Sequence, residues 1–286
     1  MVKPILHAIE EALGAKVTGV SRVRGGDVAT ALRLELEDGR WLFAKTSAAV
    51  PQLHFTTEAA GLTWMRGAAA DVCVPRVVAV SDAPPFLVLE WIEEGRPTDD
   101  TDTSLGRGLA ALHRAGAASF GRTDRRPTGS RGLPNDPCGT WAEFYATQRL
   151  LPLVRLASAT QALDSRTLRG LAAVAERLAE LGGEVEPPAR LHGDLWAGNR
   201  LVGRAGRNWL IDPASHGGHR ESDLAMMRLF GGFGPDVFAA YSEVSPLAAG
   251  WQGRVALHHL APLVVHAIKF GGSYPAAVER ALGGYL

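Results

Sequence analysis

Residues 29–47 read ATALRLELEDGRWLFAKTS, a pattern that no amphipathic helix can use. Leu32, Leu34 and Leu36 share one face, while Arg33, Glu35 and Glu37 take the other, which is the two-residue period of a half-buried strand. Asp38-Gly39 is a strong hairpin signal, and Trp41, Phe43 and Lys45 continue the alternation on the returning strand. The first stretch of the chain reads as a short helix, with Ile5, Ile9 and Leu13 on one face and Gly14 as its stop. A second helix is predicted at about 55–69, with Glu58 in its first half and Leu62 and Met65 on its apolar side. Two short strands follow, PRVVAVS (75–81) and FLVLEWI (86–92), and the nearly all-apolar second one belongs inside a sheet. Residues 1–92 are thus expected to form a small, mainly antiparallel lobe.

Beyond the polar run EEGRPTDDTDTS the period changes to that of helices. SLGRGLAALHRAG places Leu105, Leu109 and Leu112 on one face. WAEFYATQRLLPLVRLA and SRTLRGLAAVAERLAELGG are longer amphipathic stretches, the second closed by Gly182-Gly183. Residues 120–140 carry no regular pattern, and a loop of that length is functional or disordered. Short strands return around RLVGRAGRNWLID (200–212), with a tight hairpin at their centre. The expected fold class is α+β and bilobal, with a helical lobe over 93–286. A length of 286 residues fits about two lobes at roughly 150 residues each. Thirty Lys+Arg balance 30 Asp+Glu, so no global charge recruits nucleic acid or an anionic membrane. Cys73 and Cys138 fit neither a zinc motif nor a disulfide framework. The start of the chain lacks a signal-peptide pattern, and the longest apolar run, LAPLVVHAI (260–268), is too short to span a bilayer. These features lead us to expect a cytoplasmic protein.

The most informative string is LHGDLWAGNRLVGRAGRNWLIDPA (191–214). His192, Asp194 and Asn199 fit H-x-D-x-x-x-x-N, the spacing of a phosphoryl-transfer catalytic loop, and Asp212 ends the apolar strand after it. The spacing suits the chemistry. Asp194 would reach an attacking hydroxyl, while the Asn199 amide oxygen and the Asp212 carboxylate would converge on Mg²⁺, which prefers oxygen ligands. His-Gly-Asp alone would equally be a turn with a capping aspartate. Upstream, Lys45 on the hairpin strand and Glu58 on the following helix stand where an ATP-phosphate lysine and its orienting glutamate belong. VRGGDVATAL (23–32) lies where a phosphate-covering loop would be. It makes Gly25, Gly26 and Asp27 candidate nucleotide contacts, although an ordinary hairpin reads the same way. Glu90, Trp91 and Ile92 would present backbone groups to the adenine.

HGDLWAGN, IDPASHGGHRESDLAMMRLFGGF and the late FGGSYPAAVERAL together resemble the fructosamine (ketosamine) kinase family, within the aminoglycoside-phosphotransferase-like small-molecule kinases. The likeness runs along nearly the whole chain. It implies a bilobal protein-kinase-like fold and ATP-dependent phosphorylation of the 3-hydroxyl of a ketosamine, free or protein-bound. It also implies Lys45 and Glu58 as the phosphate-orienting pair, Asp194 as base, Asn199 and Asp212 as magnesium ligands, and Trp196 as a platform for the sugar. Trp196 could otherwise be a core aromatic behind the loop. Ala197 stands where the family usually has Ser, and His216-Gly217-Gly218 where it has Tyr-Tyr-Gly. The 120–140 loop lacks the usual Asn-Tyr-Ile-Gly run. All three departures fall on the expected substrate side.

Other readings remain at this point. The first is a kinase of another hydroxylated amine, of aminoglycoside or choline type, which would need an acidic pocket that Asp223 and Glu93-Glu94 are poorly suited to supply. The second is a non-catalytic nucleotide-binding module, and the third a metal-dependent hydrolase on His192 and Asp194, for which zinc-like histidine spacing is missing. His219, Arg220, Glu221 and Asp223 are expected to brace the catalytic loop rather than react. His113 and His266 are expected to be core or cleft histidines.

Overall fold

A computed structural model describes residues 2–23, 29–47, 50–68, 70–129 and 131–286. Gly25, Gly26 and Asp27 therefore lie outside the described residues. The hairpin forms as its pattern requires. Strands β2 (Thr30–Leu36) and β3 (Trp41–Thr46) pair antiparallel with Glu35 opposite Trp41, and Gly39 closes the turn at a φ of 82°. With β1 (Val17–Arg22), β4 (Val77–Asp82) and β5 (Pro85–Glu90) they build a five-stranded antiparallel sheet of order β1-β2-β3-β5-β4. The apolar strand β5 is interior, as its composition predicts.

The pleat divides the side chains of this sheet between two apolar clusters. Leu32, Leu34, Leu36, Leu42, Phe86 and Val88 pack with Ile9 of helix α1 (Val2–Leu13). Leu87 and Leu89 point the other way, into a cluster holding Phe55, Leu62 and Met65 of α2 (His54–Arg66). That second cluster continues through Leu105 and Leu109 of α3 (Thr101–Arg114) to Leu195, Leu210 and Leu224. One apolar body thus runs from the sheet into the helical lobe.

The stretch 141–157 departs from the single helix that its period predicts. It comprises α4 (Trp141–Phe144), a π-helical segment (Tyr145–Leu150) and α5 (Leu151–Ala159). Pro152 is the physical reason. It has no N–H for the Gln148 carbonyl, and its ring crowds that carbonyl, so the helix widens by one residue. The Arg149 Nη1–H donates to the orphaned Gln148 oxygen at 2.8 Å. The next predicted helix is likewise two, α6 (Ser165–Glu176) and α7 (Leu178–Leu181). Short strands β6 (Ala189–Leu191), β7 (Arg200–Val202), β8 (Asn208–Leu210) and β9 (His216–Gly218) pair as β6-β9 and β7-β8 and frame the catalytic string. Helices α8 (Glu221–Leu229), α9 (Pro235–Val244), α10 (Trp251–Phe270) and α11 (Tyr274–Leu282) complete the lobe. The described residues of the 120–140 stretch are irregular but tied down, through bridges of Phe120 to Cys138 and Gly121 to Gly217. Among the described residues no helix is long and apolar enough to cross a membrane.

Candidate active site

A cavity of about 1070 Å³ lies between the sheet and the helical lobe. Its walls include Lys45, Glu58, Glu90, Trp91, Ile92, Asp194, Trp196, Asn199 and Asp212, so the described candidates from both halves of the chain meet in one place. Strand β3 carries Lys45 into the cavity, and its Nζ–H donates to Glu58 Oε1 on α2 at 2.9 Å. Lys45 also forms an ion pair with Asp212 Oδ1, across 167 residues of chain. Burial alone would push the Lys45 ammonium down, but Glu58 and Asp212 outweigh it and hold the pKa above the ordinary lysine value. A cation fixed in this way is a standing counter-charge for a phosphate.

Asp212 ends the β7-β8 hairpin with a φ of 55°, a left-handed conformation that aspartate tolerates better than most residues. The Ile211 N–H before it donates to the Asn199 carbonyl at 3.0 Å, which ties the two candidate metal ligands together through the backbone. The Asn199 side-chain amide donates to the Asp194 carbonyl at 2.8 Å and to Asp194 Oδ2 at 3.1 Å. Both partners accept, so the NH₂ is committed to them, and Oδ1, without a hydrogen-bond partner among the described residues, is left as an oxygen ligand. Burial, followed by the negative charges of Asp212 and Asp223, raises Asp194 to about 7, while the Asn199 bond opposes the shift. A carboxylate at that value is suited to accepting a proton near neutral pH.

The loop that holds Asp194 is pinned from below. Asp223, 1% exposed, accepts from the His192 N–H at 2.8 Å, the Gly193 N–H at 2.9 Å and the His113 ring at 3.2 Å. Its burial would raise its pKa, but the bond from His113 and the other donors hold it below the usual aspartate range. His192 is structural too: its Nε2–H donates to the Ile211 carbonyl, and its Nδ1 accepts from the Asp194 N–H. Gly193 has a φ of 83°, and a Cβ there would collide with the Ala214 carbonyl. Asp223 therefore braces the loop as expected. His113 joins it, a partnership that no local pattern in the sequence announces.

The remaining candidates sort by their surroundings. Glu90 turns its carboxylate to the Arg76 N–H at 2.6 Å and towards Arg66, and its backbone N–H donates to the Arg76 carbonyl at 3.0 Å. Trp196 is 40% exposed at the cavity mouth, beside Phe230, and so is no core aromatic. Glu93 forms a solvent-exposed ion pair with Arg204 and does not line the cavity, whereas Glu94 does. His219, Glu221 and His258 lie close enough together to suggest a metal site. However, Glu221 is already held by His258 and by Nε and Nη2 of Arg254, which outweigh its burial and keep it at about 2. This is a charge knot bracing α8, and it involves neither His192 nor Asp194 as the hydrolase reading would require.

Comparison with known proteins agrees with this geometry. The family model described as fructosamine kinase matches residues 1–286. A protein of Synechocystis sp. designated a probable ketoamine kinase is 36% identical over 244 residues, covering 84% of this chain and 81% of its own. The chloroplastic protein-ribulosamine 3-kinase of Oryza sativa subsp. indica is 31% identical, covering 97% of this chain and 82% of its own. A crystal structure from Thermobifida fusca, described as a candidate fructosamine-3-kinase, superposes with a TM-score of 0.90 at 40% identity over 99% of both chains. The choline kinase LicA of Streptococcus pneumoniae, at 18% identity and a TM-score of 0.67, shares the fold.

Proposed function

The chain belongs to the fructosamine kinase family, and we propose that it transfers the γ-phosphoryl group of ATP to a sugar hydroxyl, the 3-hydroxyl, of a free or protein-bound ketosamine. The observation that carries this reading is the meeting of Lys45, Glu58, Asp194, Asn199 and Asp212 in one cavity. Lys45 draws in and neutralises phosphate oxygens, with Glu58 holding its ammonium in place. Asp194 orients the acceptor hydroxyl and takes its proton as the oxygen attacks phosphorus; Oδ2 faces Asn199, which leaves Oδ1 for the acceptor. The backbone of residues 90–92 receives the adenine.

The donors present suit magnesium. Asn199 Oδ1 and the Asp212 oxygen not engaged by Lys45 are hard ligands, few enough to leave positions for phosphate and water. When bound there, the ion would offset triphosphate charge and fix its geometry. Asp212→Asn is expected to shift the magnesium dependence of turnover to higher concentration and to lower kcat with it. A magnesium titration of the variant that superposes on the wild type overturns the metal role.

Of the cavity's carboxylates, Glu58 and Asp212 hold Lys45 and Glu90 faces Arg76 and Arg66, which leaves Asp194 and Glu94 to face a polycationic aminoglycoside. Asp223 is saturated by hydrogen bonds and Glu93 does not line the cavity, whereas aromatic and neutral histidine side chains line the substrate side. The test is ADP formation with fructosamine and ribulosamine adducts of a simple alkylamine, set beside aminoglycosides and choline. Turnover confined to the ketosamines is the expected result. Turnover of an aminoglycoside or choline alone overturns the reading.

A further inference from the structure

The cavity is open where Trp196 and Phe230, each 40% exposed, line it, and buried where Trp141, Phe144, His216 and His219 do. The two histidines are 8% and 4% exposed, and their hydrogen bonds fix their polarity. His216 Nδ1 lies 2.8 Å from the Ala214 carbonyl, an acceptor only, so Nδ1 carries the proton and Nε2 presents a lone pair. His219 does the opposite: its Nδ1 accepts from the Glu221 N–H at 3.3 Å, so Nε2 carries the proton. Neither Nε2 has a hydrogen-bond partner among the described residues. Burial, then the charge of Arg149, lowers His216 to about 3, and burial, then His258, lowers His219 to about 4, so both rings stay neutral. Trp141 sets its ring edge-on to His219 at 5.4 Å between centroids, and Phe144 lies 5.2 Å from His216.

We propose that His216 Nε2 as acceptor and His219 Nε2–H as donor form a hydroxyl-binding subsite that reads the sugar carbons beyond the phosphorylated one. A hydroxyl both donates and accepts, so an uncharged pair of opposite polarity suits a polyol better than a carboxylate or an ammonium group. The aromatic walls offer apolar faces to the sugar's C–H groups. The orientation follows from the open end: the amine substituent, which can be as large as a protein, must leave through the mouth, so the sugar tail points inward. This inference rests on the ketosamine reading and goes beyond it, because it assigns what selects among ketosamines.

The test uses the full chain and ketosamines of one alkylamine made with six-, five- and four-carbon sugars, which carry successively fewer hydroxyls beyond the reacting carbon. In the wild type, KM is expected to rise as hydroxyls are removed. His216→Leu and His219→Phe are each expected to raise KM for the six-carbon substrate about tenfold, as loss of a hydrogen bond in a site built for it does. The four-carbon substrate should change little and KM for ATP not at all. His216→Gln, which restores an acceptor near the Nε2 position, should recover part of the loss. His219→Phe keeps the ring beside Trp141, so it decides the matter if His216→Leu folds poorly. Equal losses on all three acceptors, or a flat wild-type series, overturn the subsite while leaving the kinase reading intact. A wild type that phosphorylates none of the ketosamines overturns both.

Discussion

Asp194→Ala is expected to lower kcat by at least about 100-fold, close to 3 kcal/mol of barrier, with KM for ATP little changed. The asymmetry comes from the architecture. Lys45, Glu58 and Asp212 grip one another without help from Asp194, so the phosphate side of the cavity survives the change. What disappears is the carboxylate that holds the acceptor hydroxyl and takes its proton. Steady-state ADP formation at saturating ATP measures the loss, and a variant with near-normal turnover would show that another group is the base. The same assignment sets the pH profile. A base works only when deprotonated, and Asp194 sits at about 7, so kcat/KM for the acceptor should fall as pH drops through that value. Activity that stays flat from pH 8 to 5 contradicts it.

The second large effect is expected at a residue that touches no substrate. Asp223→Ala removes the carboxylate that receives two backbone N–H groups of the catalytic loop and the His113 ring. His192 and His113 are deeply buried and Gly193 partly so, and the donor that each points at Asp223 would lose its partner. Losses of this kind cost about 3–5 kcal/mol, which in a chain of this size corresponds to a melting temperature lower by roughly 10 °C. Turnover should fall with it, because Gly193 and Asp194 lose their anchor. Asp223 is held below the ordinary aspartate range when folded, so its stabilisation is complete at neutral pH and disappears only as pH falls through that depressed value. Thermal unfolding at pH 7 is the measurement, and a melting temperature within about 2 °C of wild type would remove the bracing role.

The β2-β3 hairpin was legible because alternation and a two-residue turn are local signals, and the interior position of β5 because an all-apolar run needs cover on both faces. Strand β1 carried no such signal: Val20 is 43% exposed, and the strand is held by backbone pairing at a sheet edge. The π-helical segment was hidden for a different reason. Apolar periodicity survives a one-residue widening, and only the consequence of Pro152 for the Gln148 carbonyl marks it. In the site, the catalytic string and the Lys45–Glu58 pair could be read from spacing. The direct grip of Lys45 on Asp212 could not, since no rule of sequence distance joins residues so far apart. His216 and His219 became informative only once the partner of each ring nitrogen was known.

The apolar body that runs from Leu87 and Leu89 through α2 and α3 to Leu195, Leu210 and Leu224 has a thermodynamic consequence. The two halves cannot melt independently without tearing open that shared interior, so heat should dismantle them in one cooperative step. A nucleotide bound in the cavity would then protect the distant C-terminal helices from denaturation as strongly as the strands themselves.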